Sequence, residues 1–323
     1  MKKSIGILSG GISCERYLSL RSGRRVLAAA KDAFVAYVID WEAKRRWILY
    51  DDGMRPKAEA ENLLDILKAI PLDCVFDAFS GREEIDGRVA ALLDLAGVRY
   101  VGNKFYASFT GLDKHLTKMI CKEHGLPVLP DAVLERKGDP LPPALAAGAG
   151  LPVVVKPSCS GSSDGISVAK DAATLERRLA LLGEDAYPLL LEPYVPGREF
   201  CASVFFSPAE GRFLAMPVVE VSYPGEIFDA ECKEQGTYRV ARADIREDIQ
   251  ERMRAAALSL HGLIRADFHT RTDFKLDGNG AIWILEINTH PGLGACSILP
   301  AQLALMGLPF EDYVREQIEY AVR

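Results

Sequence analysis

Residues 283–292, WILEINTHPG, predict a buried strand, yet two polar side chains, Glu286 and Asn288, lie within it. Successive side chains of a strand point to opposite faces, so Glu286 and Asn288 share one face while Ile287 faces the other way. Burying a carboxylate costs free energy unless a partner group or a metal ion compensates its charge. This face therefore predicts either an ion pair or a metal site.

A second short stretch, IRADF at residues 264–268, is predicted as another strand, with Arg265 and Asp267 on one face. If the two strands are neighbours, one wall of the protein carries two carboxylates, an amide and a guanidinium. Such oxygen ligands suit one or two Mg2+ ions, which take their remaining ligands from substrate phosphates. The arginine is left to hold an anionic oxygen. A purely structural network of charged residues inside a sheet is an equally good interpretation of these two stretches.

A glycine- and serine-rich loop follows another apolar strand, in VVVKPSCSGSSDGIS at residues 153–167. Small residues let backbone N–H groups approach phosphate oxygens, and Lys156 adds a point charge. No Walker-type GK[ST] sequence follows, and a loop of this composition is often no more than a connection.

Residues 189–200, LLLEPYVPGREF, place Glu192 and Glu199 on either side of Tyr194 and Val195. A flat purine can lie against the apolar pair while its amino group and ribose meet carboxylates or backbone groups. The alternative for this stretch is a turn that faces solvent.

Composition excludes several classes of function. A formal net charge of -6 without a Lys/Arg-rich block gives no basis for non-specific nucleic-acid binding. Seven cysteines without a CxxC pair argue against a disulfide framework or a zinc site, and predict a reducing, cytoplasmic compartment. The amino terminus predicts no signal peptide, and no apolar run approaches the ~20 residues of a membrane span.

Strand and helix patterns alternate over the first hundred residues, which predicts an α/β fold with an open parallel sheet that binds ligands at the carboxyl ends of its strands. The length of 323 residues fits two or three compact domains. We expect three of them, an N-terminal domain over 1–102, a central lobe over 103–187 and a C-terminal lobe over 188–323. The expected helices include segments from about 15 to 30, 58 to 69, 86 to 96, 113 to 124 and 245 to 262.

Six motifs together resemble the D-alanine:D-alanine ligases, a family of the ATP-grasp superfamily, over essentially the whole chain. In chain order the motifs are GGISCER, LDK, VVVKPSCSGSS, LEPYVPGRE, RADF and LEINTHPGLGACSILP. The resemblance implies an ATP-grasp fold of three α/β domains, with ATP held between the second and the third.

The resemblance also implies a role for each matching residue. Three lysines would contact the ATP phosphates, namely Lys114, Lys156 and Lys233, with Ser162 in the loop that closes over them. Adenine and ribose would be received by Glu192, Tyr194, Val195 and Glu199. The metal ligands would be Asp267, Glu286 and Asn288, and the oxyanion would be steadied by Arg265 and the backbone N–H of Gly292. Glu15, Leu18 and Ser80 would bind the first substrate, and Ser297 and Ile298 the second.

The implied reaction joins two small amino acids with ATP and Mg2+ or Mn2+. A carboxylate attacks the γ-phosphate to form an acyl phosphate, and the amine of a second substrate displaces phosphate to form an amide. Because acyl phosphates hydrolyse, a closing loop is expected. The family implies D-alanine substrates, a role in cytoplasmic peptidoglycan precursor synthesis for the cell wall, and a homodimer.

Three positions depart from the family pattern. Ser80 stands where histidine is usual, Glu234 stands where tyrosine is usual, and Asp164 replaces an apolar residue of the glycine loop. Two acids, Glu15 and Glu234, near one amine would repel each other unless the substrate brings extra positive charge. A bulkier or more cationic first substrate than D-alanine is therefore one hypothesis, and a solvent-facing Glu234 is the other.

Three functions remain open from the sequence. The first is D-alanine:D-alanine ligation. The second is a ligase of the same scaffold that makes a different dipeptide or a cyclised amide in specialised metabolism. The third is a non-catalytic nucleotide-binding protein, which would not need the full set of Arg265, Asp267, Glu286 and Asn288.

Overall fold

The structure, a computed structural model, describes residues 2–161 and 163–323, and the side chains at 230, 231 and 234 lie outside that description. Up to residue 102 the elements are β1 (Ser4–Gly10), α1 (Arg16–Ala30), β2 (Val35–Ala43), β3 (Arg46–Tyr50), β4 (Pro56–Ala60), α2 (Leu63–Ala69), β5 (Cys74–Asp77), α3 (Arg82–Ile85), α4 (Arg88–Leu95) and β6 (Tyr100–Val101). Between residues 103 and 196 they are α5 (Phe105–Leu112), α6 (Lys114–Glu123), β7 (Ala132–Leu134), α7 (Pro143–Ala146), β8 (Val153–Pro157), β9 (Ser167–Ala169), α8 (Ala172–Leu181), a 3-10 turn (Glu184–Ala186) and β10 (Leu189–Pro193). From residue 197 they are β11 (Gly197–Ser207), β12 (Arg212–Ala215), β13 (Val219–Ser222), α9 (Ala230–Gln235), β14 (Arg239–Arg242), α10 (Glu247–Leu263), β15 (Thr270–Asp277), β16 (Ile282–Asn288), α11 (Ile298–Leu305) and α12 (Phe310–Ala321).

The first sheet has the strand order β4-β3-β2-β1-β5-β6. Its strands β2, β1, β5 and β6 are parallel, as expected, so their carboxyl ends lie along one edge. The strands β3 and β4 extend this sheet with antiparallel pairs, so the sheet is mixed and not purely parallel. The predicted helix over residues 58–69 is wrong at its start. Residues 56–60 form the strand β4, which pairs with β3, and α2 begins only at Leu63.

The second sheet has the order β7-β10-β8-β9. Its central pair is antiparallel, and Leu190 lies opposite Lys156. Residues 189–193 were expected in the C-terminal lobe, but hydrogen bonding places them in the second sheet. The apolar run of β10 is buried on this sheet, which explains why it belongs there.

The third sheet has the order β14-β13-β11-β15-β16, with β12 also paired to β11. Its β15–β16 hairpin closes at residues 277–281, where Asp277 Oδ1 accepts hydrogen bonds from the N–H groups of Asn279 and Ala281 at 2.9 Å each. This hairpin brings the acidic residues of the two strands side by side.

The predicted strand at residues 264–268 is wrong. The helix α10 ends at Leu263, Arg265 adopts a φ of 55°, and β15 begins only at Thr270. The chain must turn from the helix into the sheet, and a residue in the left-handed region makes that turn. Arg265 and Asp267 therefore lie on a helix-to-strand connection.

The C-terminal helix α12 packs beside α1 on one face of the first sheet. Buried residues of α12, among them Tyr313, Val314 and Ile318, share a core with Ile7 and Phe76 of that sheet. Each such side chain contributes roughly 2 kcal/mol through burial of apolar surface. The two ends of the chain are thereby held in one core, which sets the first sheet against the third. No helix in the described part of the chain is long and apolar enough to cross a membrane.

Candidate active site

A cleft lies between the second and third sheets. Strands β8 and β10 line one side, and β11, β15 and β16 line the other. Eight of the predicted site residues line this cleft, namely Lys114, Lys156, Glu192, Tyr194, Val195, Glu199, Lys233 and Glu286.

One end of the cleft is acidic. Asp273 lies opposite Glu286 in the β15–β16 register, and Arg271 lies opposite Asn288. The Asn288 amide donates to Asp273 Oδ2 at 3.2 Å and to Glu286 Oε1 at 3.3 Å. Arg271 holds Asp273 in a bidentate pair, with both N–O distances at 2.7 Å.

Arg265 and Asp267 do not belong to this group, which corrects the expected metal ligand and the expected oxyanion partner. Asp267 lines a separate cleft with Lys104 and Tyr320, and the Arg265 guanidinium lies 5.6 Å from the Tyr106 ring centroid. The sequence carries the Arg-x-Asp-Phe pattern twice, as RADF at 265–268 and RTDF at 271–274. The second copy lies on β15 beside Glu286, so the prediction that placed the metal ligand in the first copy is wrong.

The donor set of the acidic end fits a divalent cation. Among the side chains that the structure describes, no three from His, Cys, Asp or Glu converge on a metal site. The acidic end therefore offers two carboxylates and one amide. Oxygen atoms of Asp273, Glu286 and Asn288 suit Mg2+, which completes its shell with water or phosphate oxygens. The amide would turn its oxygen to the ion, since the two ends of an amide have nearly the same shape.

Lysines face this acidic end. Asp113 caps α6 by accepting hydrogen bonds from the N–H groups of His115 and Leu116, which places Lys114 in the first turn. The Lys114 ammonium lies 3.3 Å from Glu286 Oε2 and donates to Ser160 O at 2.6 Å. Burial opposes ionisation of Glu286, but Lys114 and Lys233 outweigh it, so the pKa of Glu286 lies well below its ordinary value.

Glu192 is paired with two lysines. Lys118 contacts Oε1, and Lys156 lies 2.6 Å from Oε2. Burial alone would raise the pKa of this carboxyl, but Lys156 and Lys118 outweigh burial and hold the pKa below its ordinary value. Both oxygens are therefore engaged. Lys118, which is 1% exposed, was not among the predicted site residues.

The glycine-rich loop meets the helix α9 at the mouth of the cleft. The Lys233 ammonium donates to Ser163 Oγ at 2.6 Å, and Ser163 Oγ donates to Phe228 O at 2.6 Å. Burial lowers the pKa of Lys233, although Glu286 opposes that change. Ser162 lies outside the described residues, as does the Glu234 side chain. Asp164 is exposed.

Tyr194, Val195 and Glu199 lie at the far end of the cleft. Two donors reach one oxygen of Glu199. The Tyr223 hydroxyl donates to Oε1 at 2.7 Å, and the Lys275 ammonium donates to the same atom at 3.0 Å. Neither Tyr223 nor Lys275 was a predicted site residue.

The residues expected on the first-substrate side lie at the edge of the first sheet. Glu15 precedes α1, and its carboxylate comes within 2.7 Å of where a Cβ on Gly161 would stand, so the glycine allows the loop to approach. Leu18 lies one turn further along α1 and is half-buried. Ser80 follows β5 and is buried.

The loop after β16 carries the remaining predicted residues. A Cβ built on Gly292 would stand 3.0 Å from Ser297 Oγ, so these two positions are adjacent. Ser297 precedes α11. The Ile298 side chain packs with Cys201, Val219 and Val221, and its backbone N–H lies in the first turn of α11, where helices leave such groups without an intrahelical partner.

The same loop is tied to the first sheet. Arg25 of α1 donates to Gly294 O at 2.9 Å, and Ser22 Oγ accepts from the N–H of Leu293 at 3.2 Å. His290 Nε2 lies 3.2 Å from Asp77 Oδ2 at the carboxyl end of β5. These contacts hold the edge of the first sheet that carries Glu15 and Ser80 against the loop after β16, next to the acidic end of the cleft.

Known proteins resemble this chain over nearly its full length. A family model described as D-ala D-ala ligase C-terminus matches residues 120–319. The D-alanine--D-alanine ligase of Citrifermentans bemidjiense is 31% identical over 323 residues, which cover 99% of this chain and 96% of that protein. The D-alanine--D-alanine ligase of Geobacter sulfurreducens is 32% identical over 318 residues, which cover 96% of this chain and 91% of that protein.

A solved structure has the same fold. The D-alanine-D-alanine ligase from Coxiella burnetii superposes with a TM-score of 0.84 at 24% identity, covering 99% of this chain and 94% of that one. The predicted α/β fold of the ATP-grasp type is thereby confirmed.

Proposed function

The chain belongs to the D-alanine–D-alanine ligase family, and on this premise we propose that it is an ATP-dependent ligase that joins two D-alanine molecules. The observation that carries the proposal is the cleft in which Lys114, Lys156 and Lys233 face a wall of two carboxylates and an amide. Cations for phosphate oxygens and oxygen ligands for a metal are the two elements that phosphoryl transfer needs.

We assign the triphosphate to the lysine end of the cleft. Lys114, Lys156 and Lys233 would contact phosphate oxygens, with Ser162 and its neighbours in the loop above them. Asp273, Glu286 and Asn288 would hold Mg2+ or Mn2+, which when bound offsets charge on the phosphates. Adenine would lie against Tyr194 and Val195, near Glu192, and ribose beside Glu199.

The reaction follows from these positions. The carboxylate of the first D-alanine attacks the γ-phosphate, ADP leaves, and an acyl phosphate forms. The amine of the second D-alanine then attacks the acyl carbon, phosphate leaves, and the amine loses a proton as the peptide bond forms. Arg271 takes the place that Arg265 had in the sequence analysis, so Arg271 and the Gly292 N–H would steady the oxyanion.

The two amino-acid substrates would bind between the edge of the first sheet and the loop after β16. Glu15 would hold the ammonium of the first substrate, with Leu18 and Ser80 beside it. Ser297 Oγ and the Ile298 N–H would bind the carboxylate of the second substrate. The domain boundary near 102, the homodimer and the cytoplasmic location stay predictions.

The direct test combines the protein with ATP, Mg2+ and D-alanine. ADP release should depend on D-alanine, and mass spectrometry should detect the D-alanyl dipeptide. ATP turnover that does not respond to any amino acid would overturn the proposal, as would nucleotide binding without turnover, which would favour the non-catalytic alternative.

A different first substrate is a second candidate, and the first-sheet edge favours it. Ser80, a small and buried residue, lies at this edge after β5. Nearby, Glu84 is 1% exposed, its Oε1 accepts from the N–H of Ser13 at 3.0 Å, and its Oε2 has no hydrogen-bond partner in the described part of the chain. A buried carboxylate beside the loop that leads to Glu15 suits a bulkier or more cationic amino acid. A panel of D- and L-amino acids decides between the candidates, and the highest kcat/KM with D-alanine would eliminate this one.

A further inference from the structure

Lys275 lies inside the nucleotide cleft, yet the proposed reaction assigns it no task. It stands directly opposite Glu199 in the β11–β15 register, so both side chains project from the same face of the third sheet. Its ammonium donates to Glu199 Oε1 at 3.0 Å, and only 6% of Lys275 is exposed. A buried ammonium beside a half-buried carboxylate forms a close ion pair in the wall of the cleft.

The oxygen that Lys275 binds is already occupied. The Tyr223 hydroxyl donates to the same Glu199 Oε1 at 2.7 Å. A carboxylate oxygen offers two lone pairs, so two donors saturate it. Within the described residues, no group donates to Glu199 Oε2, and Glu199 lines the cleft. The carboxylate therefore presents one free acceptor to a ligand.

The second donor is held in place by the aromatic side of the cleft. The Tyr223 ring stacks on Phe228 with centroids 5.2 Å apart and an interplanar angle of 16°. The Lys233 ammonium lies 4.7 Å from the Phe228 centroid, so the phosphate and ribose ends share one wall. Burial and the nearby Glu199 raise the pKa of Tyr223, which keeps its hydroxyl protonated as a donor.

We propose that Lys275 is a positioning residue for the ribose of the nucleotide. With Tyr223 it holds Glu199 Oε1, so that Oε2 alone accepts one ribose hydroxyl. The identification of the ligand as a nucleotide rests on the proposed function. Without the ammonium, the carboxylate loses its orientation and stands as an unpaired charge near a polyanion.

The test compares ATP with 2′,3′-dideoxy-ATP, which has no hydroxyl for Glu199 to bind. In the unchanged protein the KM for dideoxy-ATP should exceed that for ATP about tenfold, the effect of one hydrogen bond to a charged group. In Lys275→Met this KM ratio should fall to within about twofold of one, with kcat for ATP within about twofold of the unchanged protein. A general change in charge alters both KM values together and leaves the ratio intact.

Two further variants complete the design. Lys275→Arg keeps the cation and should restore most of the ratio, and Tyr223→Phe removes the other donor and should lower the ratio without abolishing it. Lys68→Met is the matched control, because Lys68 is an exposed lysine that pairs only with Asp65 in the described structure. A ratio that persists in Lys275→Met would overturn the proposal.

Calorimetry separates this proposal from the ligase assignment. ADP and 2′,3′-dideoxy-ADP can be titrated into each variant without any amino acid, and the ratio of their Kd values should follow the same pattern. If the protein binds nucleotide with that pattern but forms no dipeptide, the ligase function fails and the role of Lys275 stands. If the protein forms dipeptide but the Kd ratio does not fall in Lys275→Met, the role of Lys275 fails and the ligase function stands.

Discussion

Asp267 and Asp273 occupy the same place in two copies of one four-residue pattern, and only the backbone distinguishes them. Asp267 follows the end of a helix, whereas Asp273 lies on a strand opposite Glu286. Glu286 and Asn288 share one face, as the two-residue period of a strand predicts. The strand predicted around Asp267 is wrong because α10 ends just before Arg265, which lies in the left-handed region. A glycine at that position would have marked the end of the helix in the sequence.

Asp273 and Asp267 offer a matched pair of substitutions. Asp273→Asn should lower kcat for D-alanine-dependent ADP release by roughly 100-fold, because a carboxylate at the acidic end is lost. Asp267→Asn, with the same chemical change in the separate cleft, should stay within about twofold. A large loss for Asp267→Asn and none for Asp273→Asn would contradict the assignment.

Other residues of the site were beyond sequence reasoning. Lys114 and Lys233 were found only through the family resemblance, because a single lysine carries no periodic signal. Lys118, Tyr223 and Lys275 were missed because each acts on a carboxylate from another element, and such pairings depend on strand register and helix placement.

At the level of elements, the end of α10 stores strain. Arg265 is exposed and has a φ of 55°, which costs a residue with a Cβ about 1 kcal/mol. Arg265→Gly should therefore raise the free energy of urea unfolding by up to about 1 kcal/mol, reduced by the greater freedom of glycine in the unfolded chain. Arg265→Ala keeps the Cβ and should change stability by less than about 0.5 kcal/mol. A less stable glycine variant would argue against the strain.

The same helix carries a buried histidine that makes the fold sensitive to acid. His261 is 2% exposed, its Nδ1 lies 2.9 Å from Thr270 Oγ1, and burial lowers its pKa to about 4. The unfolded chain takes up the proton near pH 6.5, so the free energy of unfolding falls as the pH drops from about 6.5 to 4.

His261→Gln removes this titration and keeps a hydrogen-bonding side chain. The loss of stability between pH 7 and pH 5, measured by urea unfolding at each pH, should be smaller in the variant by about 2 kcal/mol. Equal losses in both proteins would show that His261 is protonated in the folded state.

Element types were largely predictable, and the exceptions have a physical cause. The helix expected from residue 15 to 30 is confirmed as Arg16–Ala30. The β3–β4 hairpin was not predicted, because its second strand, PKAEA, lacks the β-branched residues that favour strands. Pairing with Trp47 and Leu49 of β3 stabilises this strand although its sequence has little intrinsic strand preference.

At the scale of the whole molecule, Asn103 joins the first sheet to the third. Its Nδ2 donates to His269 O at 2.8 Å and to Thr289 O at 2.7 Å. Its Oδ1 accepts from the N–H groups of Asp267 at 2.9 Å and Phe268 at 3.1 Å. One buried amide thus satisfies four backbone groups around the ends of β15 and β16.

Asn103→Leu should therefore be costly. Leaving these buried backbone groups unpaired should lower the free energy of unfolding by about 3 kcal/mol or more. Asn62→Ala, which removes an exposed helix cap, should cost only about 1 kcal/mol. A cost for Asn103→Leu no larger than that of Asn62→Ala would show that the junction is not held by this side chain.

The arrangement of the three sheets was predictable only through the family. Nothing in the periodicity of α12 indicates that it covers the first sheet beside α1, because an amphipathic helix specifies a buried face and not its partner. The cleft between the second and third sheets depends on that arrangement.

The central claim is that the acidic end of this cleft holds a metal ion against the phosphates of a nucleotide. The most direct measurement is an anomalous-scattering map of crystals grown with Mn2+ and a non-hydrolysable ATP analogue. The Mn2+ peak should lie within coordination distance of Asp273, Glu286 and Asn288, with the analogue's phosphates between it and the lysines. A peak at Asp267, or phosphates bound away from Lys114, Lys156 and Lys233, would contradict it.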